Sequence, residues 1–119
     1  HKMGDKVICS VGNSIQNSIR KSDLIFRYGG DEFVVLLKKC PLEIGKRIAE
    51  KIRAAVASDF LVYKKEKLAV TISLGLTSLE PCDSEESFFE RADKALYSAK
   101  KNGRNRMEVL LPGRKESQN

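Results

Sequence analysis

Arg27-Tyr28-Gly29-Gly30-Asp31-Glu32-Phe33 sits between two apolar runs, Leu24-Ile25-Phe26 before it and Phe33-Val34-Val35-Leu36-Leu37 after it. Apolar runs on either side of a Gly-Gly pair predict a β-hairpin, and here its tip carries two adjacent carboxylates. The glycines are expected to serve twice: they permit φ > 0 in a tight turn, and their missing side chains let a bulky anionic ligand approach the main chain. The tip is therefore a candidate metal and phosphate site.

Outward from the hairpin, the apolar spacing changes from strand to helix. Val7, Ile8, Val11, Ile15 and Ile19 predict a helix from Asp5 to about Arg20. Pro41 is placed to open a second helix, with Ile44, Ile48, Ile52, Ala55 and Val56 as its apolar stripe. Phe60-Leu61-Val62-Tyr63 reads as a short strand, Lys64 to Lys67 as a charged turn, and Leu68 to Leu79 as a long β-rich run. Asp83 with Glu86 resembles a capping box for a third helix, buried through Phe88, Ala92, Ala95, Leu96 and Ala99 and stopped at Gly103. Met107 to Leu111 reads as a last strand. This order predicts an α+β fold, helices covering an antiparallel or mixed sheet, in one domain over 1–111 followed by a polar tail at 112–119.

Composition narrows the function classes. The 119 residues suit one domain, and 41% hydrophobic with 32% charged residues is ordinary for a globular protein. No apolar run approaches the roughly 20 residues of a membrane span, and no leader precedes the first helix, so a cytoplasmic location is expected, in a parent protein that can itself be membrane-anchored. The net charge of +6 is spread over 22 basic residues with short doublets only, which argues against a nucleic-acid polymer as partner. Cys9, Cys40 and Cys82 lack the close pairing of a zinc or redox motif and are expected to be free thiols. His1 is the single histidine, which argues against histidine metal clusters and Ser-His hydrolases.

The Gly29-Gly30-Asp31-Glu32-Phe33 pentapeptide, Val70-Thr71-Ile72-Ser73-Leu74-Gly75, and the run from Ala92-Asp93-Lys94-Ala95-Leu96-Tyr97 to Lys100-Lys101-Asn102-Gly103-Arg104-Asn105-Arg106 occur in the order found in GGDEF domains. The chain resembles that family from His1 to about Val109. The resemblance implies a ferredoxin-like nucleotide-cyclase palm and a diguanylate cyclase, a nucleotidyltransferase that condenses two GTP into cyclic di-GMP in bacterial signalling. It implies Mg²⁺ (or Mn²⁺) as cofactor, a homodimer for catalysis and an upstream sensory domain.

Residue by residue, the resemblance assigns Asp31 and Glu32 to metal binding and to deprotonating the attacking hydroxyl, without dividing the roles; two solvated turn acids are the plain alternative. Gly29 and Gly30 are assigned to the nucleotide's approach. Asp5 matches an aspartate that accepts from the guanine edge, and a helix N-cap is its alternative. Lys100 and Arg104 match the cations that hold GTP phosphates, against a simple balancing of the helix dipole. Arg20 and Asp23, an Arg-x-x-Asp set nine residues before Gly29, match the inhibitory product-binding site, against a helix-end ion pair. Lys51 aligns where the family has a further arginine, and lysine cannot reproduce that planar fork.

His1-Lys2-Met3-Gly4-Asp5 matches the end of a Gly-His-x-x-Gly-Asp turn that in the family follows a first strand carrying a metal-binding aspartate. Without that strand, neighbouring backbone groups are left unpaired at about 1–3 kcal/mol each. The expectation is a shortened or spliced form whose sheet is incomplete or rearranged and whose cyclase activity is impaired. The alternative function is a noncatalytic cyclic di-GMP-binding or interaction module.

Overall fold

Val11 and Ile15, one helical turn apart, are both buried and fix the inner face of α1, which runs Lys2–Ser18. The computed structural model describes residues 2–113, so the expected tail at 112–119 lies outside the described residues from position 114. Helix α1 begins three residues before the expected start, which puts Asp5 in its first turn and not at an N-cap.

The described chain separates into two compact units, His1–Val70 and Thr71–Asn119. In the first unit, β1 (Leu24–Arg27) and β2 (Phe33–Leu36) form the expected antiparallel hairpin, in register from Leu24 opposite Leu36 to Arg27 opposite Phe33. The Phe33 ring lies against Gly12 of α1, where a Cβ would come within 3.4 Å of it. Helix α2 (Leu42–Ala57) starts after Pro41, whose fixed φ of −60° suits the N-cap. Its most buried face is Gly45, Ala49, Ile52 and Val56, packed against α1; Ile44, Ile48 and Ala55 flank that seam half-buried.

The second hairpin pairs β3 (Leu61–Tyr63) with β4 (Glu66–Leu68). Glu66 and Lys67, expected in the turn, are strand residues; the turn is Lys64-Lys65 alone, with φ of 51° and 70°. A two-residue hairpin demands that left-handed backbone, usually from Asn-Gly. Lys67 lies over the Phe60 ring at 5.1 Å and Lys64 over Tyr63 at 5.4 Å, which shields part of the exposed Phe60 ring and of the half-buried Tyr63 ring.

The second unit is a β-α-β arrangement. Strand β5 (Leu74–Leu76) pairs in parallel with β6 (Met107–Val109), joined through α3 (Glu85–Lys101). Gly75 is the contact point: a Cβ there would lie 2.3 Å from the Leu96 amide nitrogen and 2.4 Å from the Ala92 carbonyl oxygen. Ala95 and Ala99 are the buried residues of α3. The capping box forms one residue later than expected, between Ser84 and Ser87, because Asp83 is engaged by Arg91 instead.

The α+β class holds, and the pairing agrees with the expected incomplete or rearranged sheet: among the described residues the strands form three separate two-stranded ladders, two antiparallel and one parallel. The long run expected over Leu68 to Leu79 reaches strand form only at Leu68 and at Leu74–Leu76. Val70, Thr71 and Ile72 have strand composition, yet a strand needs a neighbour for its N–H and C=O groups, and none pairs with them among the described residues.

Candidate functional site

The hairpin tip is closed by a bond from the Tyr28 N–H to the Glu32 carbonyl at 2.8 Å, leaving Gly29, Gly30 and Asp31 as a three-residue loop. Asp31 is exposed and Glu32 half-buried. One expectation is corrected here: neither Gly29 nor Gly30 has a left-handed φ, because the three-residue loop turns without it. A Cβ on either glycine would also meet nothing within 4 Å. Neither the turn nor the packing requires glycine at these positions.

Arg27 braces the loop from within. Its Nε donates to the Gly30 carbonyl at 3.1 Å and to the Gly29 carbonyl at 3.3 Å, and its Nη2 also donates to Gly30. The two carbonyls are thus held by one guanidinium. Sequence reading missed this role; the signal was an arginine at the last residue of β1, within reach of its own turn.

At the other end of the hairpin, Arg20 and Asp23 meet as expected. The Asp23 carboxylate accepts Arg20 Nε and Nη2 at 2.9 Å each, the Arg20 amide at 2.9 Å and the Lys38 amide at 3.1 Å, while Arg20 Nη2 reaches the Lys38 carbonyl at 2.8 Å. The pair therefore ties the residue before β1 to the segment after β2. The Asp23 side chain has no exposed surface and that of Arg20 is 42% exposed. Arg20 first, with the two amides, holds the Asp23 carboxyl below the usual carboxylate range against the opposing effect of desolvation. Lys51 stands exposed on α2 and takes no part in these bonds.

Asp5 is exposed on the polar side of α1. With Cys9, Asn13 and Asn17 on that helix and Asp59 across from them, it lines an open groove of about 500 Å³. With the Ser10 and Ser14 hydroxyls in the same wall, these amide and carboxylate groups can both donate and accept.

In the second unit, Lys100 and Arg104 stand exposed at the end of α3 and in the turn after it. The Asn102 and Arg104 amides close the helix on the Ser98 and Ala99 carbonyls, each at 2.9 Å. Gly103, Arg104 and Asn105 all have left-handed φ, at 125°, 58° and 46°. For Arg104 that conformation costs roughly 1–2 kcal/mol, and less for Asn105, whose short polar side chain tolerates it. The same unit contains a latch the sequence reading missed: Arg91 donates to both oxygens of Asp83, to Thr77 and to the Ser78 carbonyl. Arg91 thereby holds the Asp83 carboxyl well below its ordinary value.

Among the described residues, no three His, Cys, Asp or Glu side chains gather to hold a metal ion. Asp31 and Glu32 provide a pair of hard oxygen donors, which suits Mg²⁺, an ion that binds one or two carboxylates and completes its shell with water and phosphate. Cys9, Cys40 and Cys82 are free. No described helix is long and apolar enough to cross a membrane.

The family described as diguanylate cyclase, GGDEF domain, matches residues 1–106. The chain belongs to the GGDEF family. Its relatives include diguanylate cyclase DgcP of Pseudomonas aeruginosa, 45% identical over 92% of this chain and 16% of the relative. Diguanylate cyclase A of Treponema denticola is 42% identical over 92% of this chain and 30% of its own length, and diguanylate cyclase DgcM of Escherichia coli is 41% identical over 90% and 25%. The chain thus spans a third or less of these relatives. Among solved structures, the GGDEF domain of DgcB from Caulobacter crescentus in complex with c-di-GMP superposes with a TM-score of 0.87 at 35% identity, covering 92% of this chain and 66% of that one. Diguanylate cyclase SiaD in complex with its activator SiaC, from Pseudomonas aeruginosa, gives a TM-score of 0.85 at 30% identity, covering 92% and 42%. The GGDEF assignment made on the pentapeptide and its accompanying motifs is borne out.

Proposed function

We propose that this GGDEF domain takes part in the condensation of two GTP to cyclic di-GMP, with Asp31 and Glu32 as its metal-binding and catalytic carboxylates. The observation that carries the reading is the glycine pair: with no turn or packing demand on Gly29 and Gly30, what remains is close approach of a ligand to their backbone. Each bond-forming step joins a 3′-oxygen of one GTP to the α-phosphorus of another while the bond to pyrophosphate breaks. Alignment and charge neutralisation dominate such a step. Mg²⁺, or Mn²⁺, supplies charge neutralisation at the phosphates when bound, and Asp31 and Glu32 are the residues that would hold it. One of the two carboxylates takes the proton of the attacking hydroxyl. Arg27 keeps the loop beneath them in shape, Asp5 accepts from the guanine edge in its groove, and Lys100 and Arg104 are the phosphate cations.

The domain works as a homodimer in the cytoplasm under an upstream sensory domain. Because its described residues offer two carboxylates adjacent in sequence and gather no third, turnover by these 119 residues alone is weak. Chromatographic detection of cyclic di-GMP formed from GTP with Mg²⁺ or Mn²⁺ tests the reading: slow product formation that disappears in Asp31→Ala supports it, whereas robust turnover refutes the impairment and turnover unaffected by Asp31→Ala refutes the site.

The half-exposed guanidinium of Arg20 favours a second reading, recognition of cyclic di-GMP at the hairpin base. Asp23 there orients Arg20, which reads the ligand with its outward donors, and Lys51 supplies further positive charge. Calorimetric titration of the chain and of Arg20→Ala with cyclic di-GMP decides it; heat that persists in the variant, or none in the wild type, removes the reading.

A further inference from the structure

Two consecutive non-glycine residues with left-handed φ, Arg104 at 58° and Asn105 at 46°, persist only when their surroundings hold them there. The surroundings are specific. Arg106 Nη1 donates to the Asn102 carbonyl at 3.0 Å, across the base of the turn. Asn102 Nδ2 donates to Glu108 Oε2 at 3.3 Å, and Arg106 Nε reaches that same oxygen at 2.9 Å. Asn102 caps α3 and Arg106 leads into β6, so one carboxylate oxygen ties together the residues that bracket the strained pair. Glu108 is itself anchored on β6, in register with Gly75, and the Leu74 N–H to Arg106 carbonyl bond at 2.9 Å fixes the far side of the turn to β5.

We propose that Glu108 is a positioning residue: acting through Asn102 and Arg106, it keeps the Gly103-Arg104-Asn105 turn left-handed and so sets the place from which Arg104 meets a nucleotide phosphate. The second half of this statement rests on the phosphate role given to Arg104 above; the first half concerns the turn alone. A neutral acceptor can keep both bonds to the shared oxygen, so Glu108→Gln is expected to preserve the clamp and Glu108→Ala to abolish it.

The test reads the turn and the ligand separately in the intact chain. Carbon chemical shifts of Arg104 and Asn105 report their backbone conformation, and calorimetry with a nonhydrolysable GTP analogue and Mg²⁺ reports affinity. Glu108→Ala is expected to move the Arg104 and Asn105 shifts away from left-handed values and to weaken the analogue roughly tenfold. Glu108→Gln is expected to restore the shifts and to bind within about twofold of the wild type, the difference that bond retention predicts. Unmoved shifts in Glu108→Ala overturn the clamp. Moved shifts with unchanged affinity overturn its positioning role. A wild-type chain that binds no analogue removes the cyclase reading and with it the phosphate role, while the carbon shifts still decide the clamp.

Discussion

Replacing Gly30 by alanine separates what the fold needs from what a ligand needs. The new Cβ meets no atom within 4 Å, and the backbone there lies outside the left-handed region, so the folded state accepts the methyl group without strain. The unfolded chain loses conformational freedom, and stability is expected to rise by about 0.4–1 kcal/mol. For a domain of this size that corresponds to a melting midpoint roughly 2–5 °C higher. The effect on a nucleotide has the opposite sign. A phosphate oxygen accepting from the loop amide sits about 2.9 Å from nitrogen, and a methyl carbon beside it wants about 3.5 Å or more. Displacement of the phosphate by even ~1 Å costs on the order of a hundredfold in rate. Scanning calorimetry on the free chain and cyclic di-GMP chromatography with saturating Mg²⁺ measure the two quantities, and Gly29→Ala is expected to behave alike. A loss of more than about 1 kcal/mol of stability would show that the glycines serve the fold. Turnover equal to wild type in a stable Gly30→Ala variant would show that no ligand comes near them.

Gly75→Ala is the opposite case: its Cβ would stand 2.3 Å from the Leu96 nitrogen, so β5 and α3 must part by about 1 Å, and denaturant titration is expected to show a loss of about 3 kcal/mol or more. Asp23→Ala strands the Arg20 and Lys38 amides and is expected to cost roughly 2–6 kcal/mol in the same assay, at about 1–3 kcal/mol per amide. Asp23 and Asp83 both titrate below the ordinary carboxylate value in the folded chain. Their stabilisation is therefore complete above that value and lost as pH falls through the depressed one, so melting midpoints followed by circular dichroism should fall below about pH 4 and fall less in Asp23→Asn. Glu32→Gln keeps the size of the tip residue and removes its charge; product formation is expected to drop by roughly 100-fold or more with the melting midpoint within about 2 °C of wild type.

Much of this was legible because local pattern and packing agree. The short apolar runs on either side of Gly29-Gly30 point to a hairpin and the four-residue spacing of Val7, Val11 and Ile15 to a helix, and the chain builds those elements. Boundaries and partners were less legible. Val70 to Ser73 reads as strand by composition, but strand form depends on a neighbour that no local pattern supplies. Asp83 could cap α3 or pair with Arg91, and a bidentate guanidinium bond eight residues away outweighs the cap that Ser84 can also provide. Arg27 carries no sequence signal beyond its place at the end of β1, yet the loop carbonyls converge on it. The groove beside Asp5 depends on where Asp59 arrives after α2, a distance in sequence that periodicity does not span.

Backbone conformation can be read in both directions, at the hairpin tip of the first unit and, separately, at the turn after α3 in the second. Gly29 and Gly30 have a freedom the turn does not use, while Arg104 and Asn105 lack a freedom their turn demands. If folding alone had shaped these loops, glycine would be the cheaper residue at the second pair, and any small polar residue would serve at the first. On the proposed reading a phosphate accounts for the inverted choice: bare main chain where the anion comes close, and a long cation where charge is delivered even at a conformational cost. The Lys64-Lys65 turn, equally left-handed, shows the limit of this reasoning. There the demand comes from the two-residue hairpin, and the Lys64 side chain has the Tyr63 ring to cover, so strain alone does not mark a site. What distinguishes Arg104 is that its strain is held by Asn102, Arg106 and Glu108 while its side chain stays exposed.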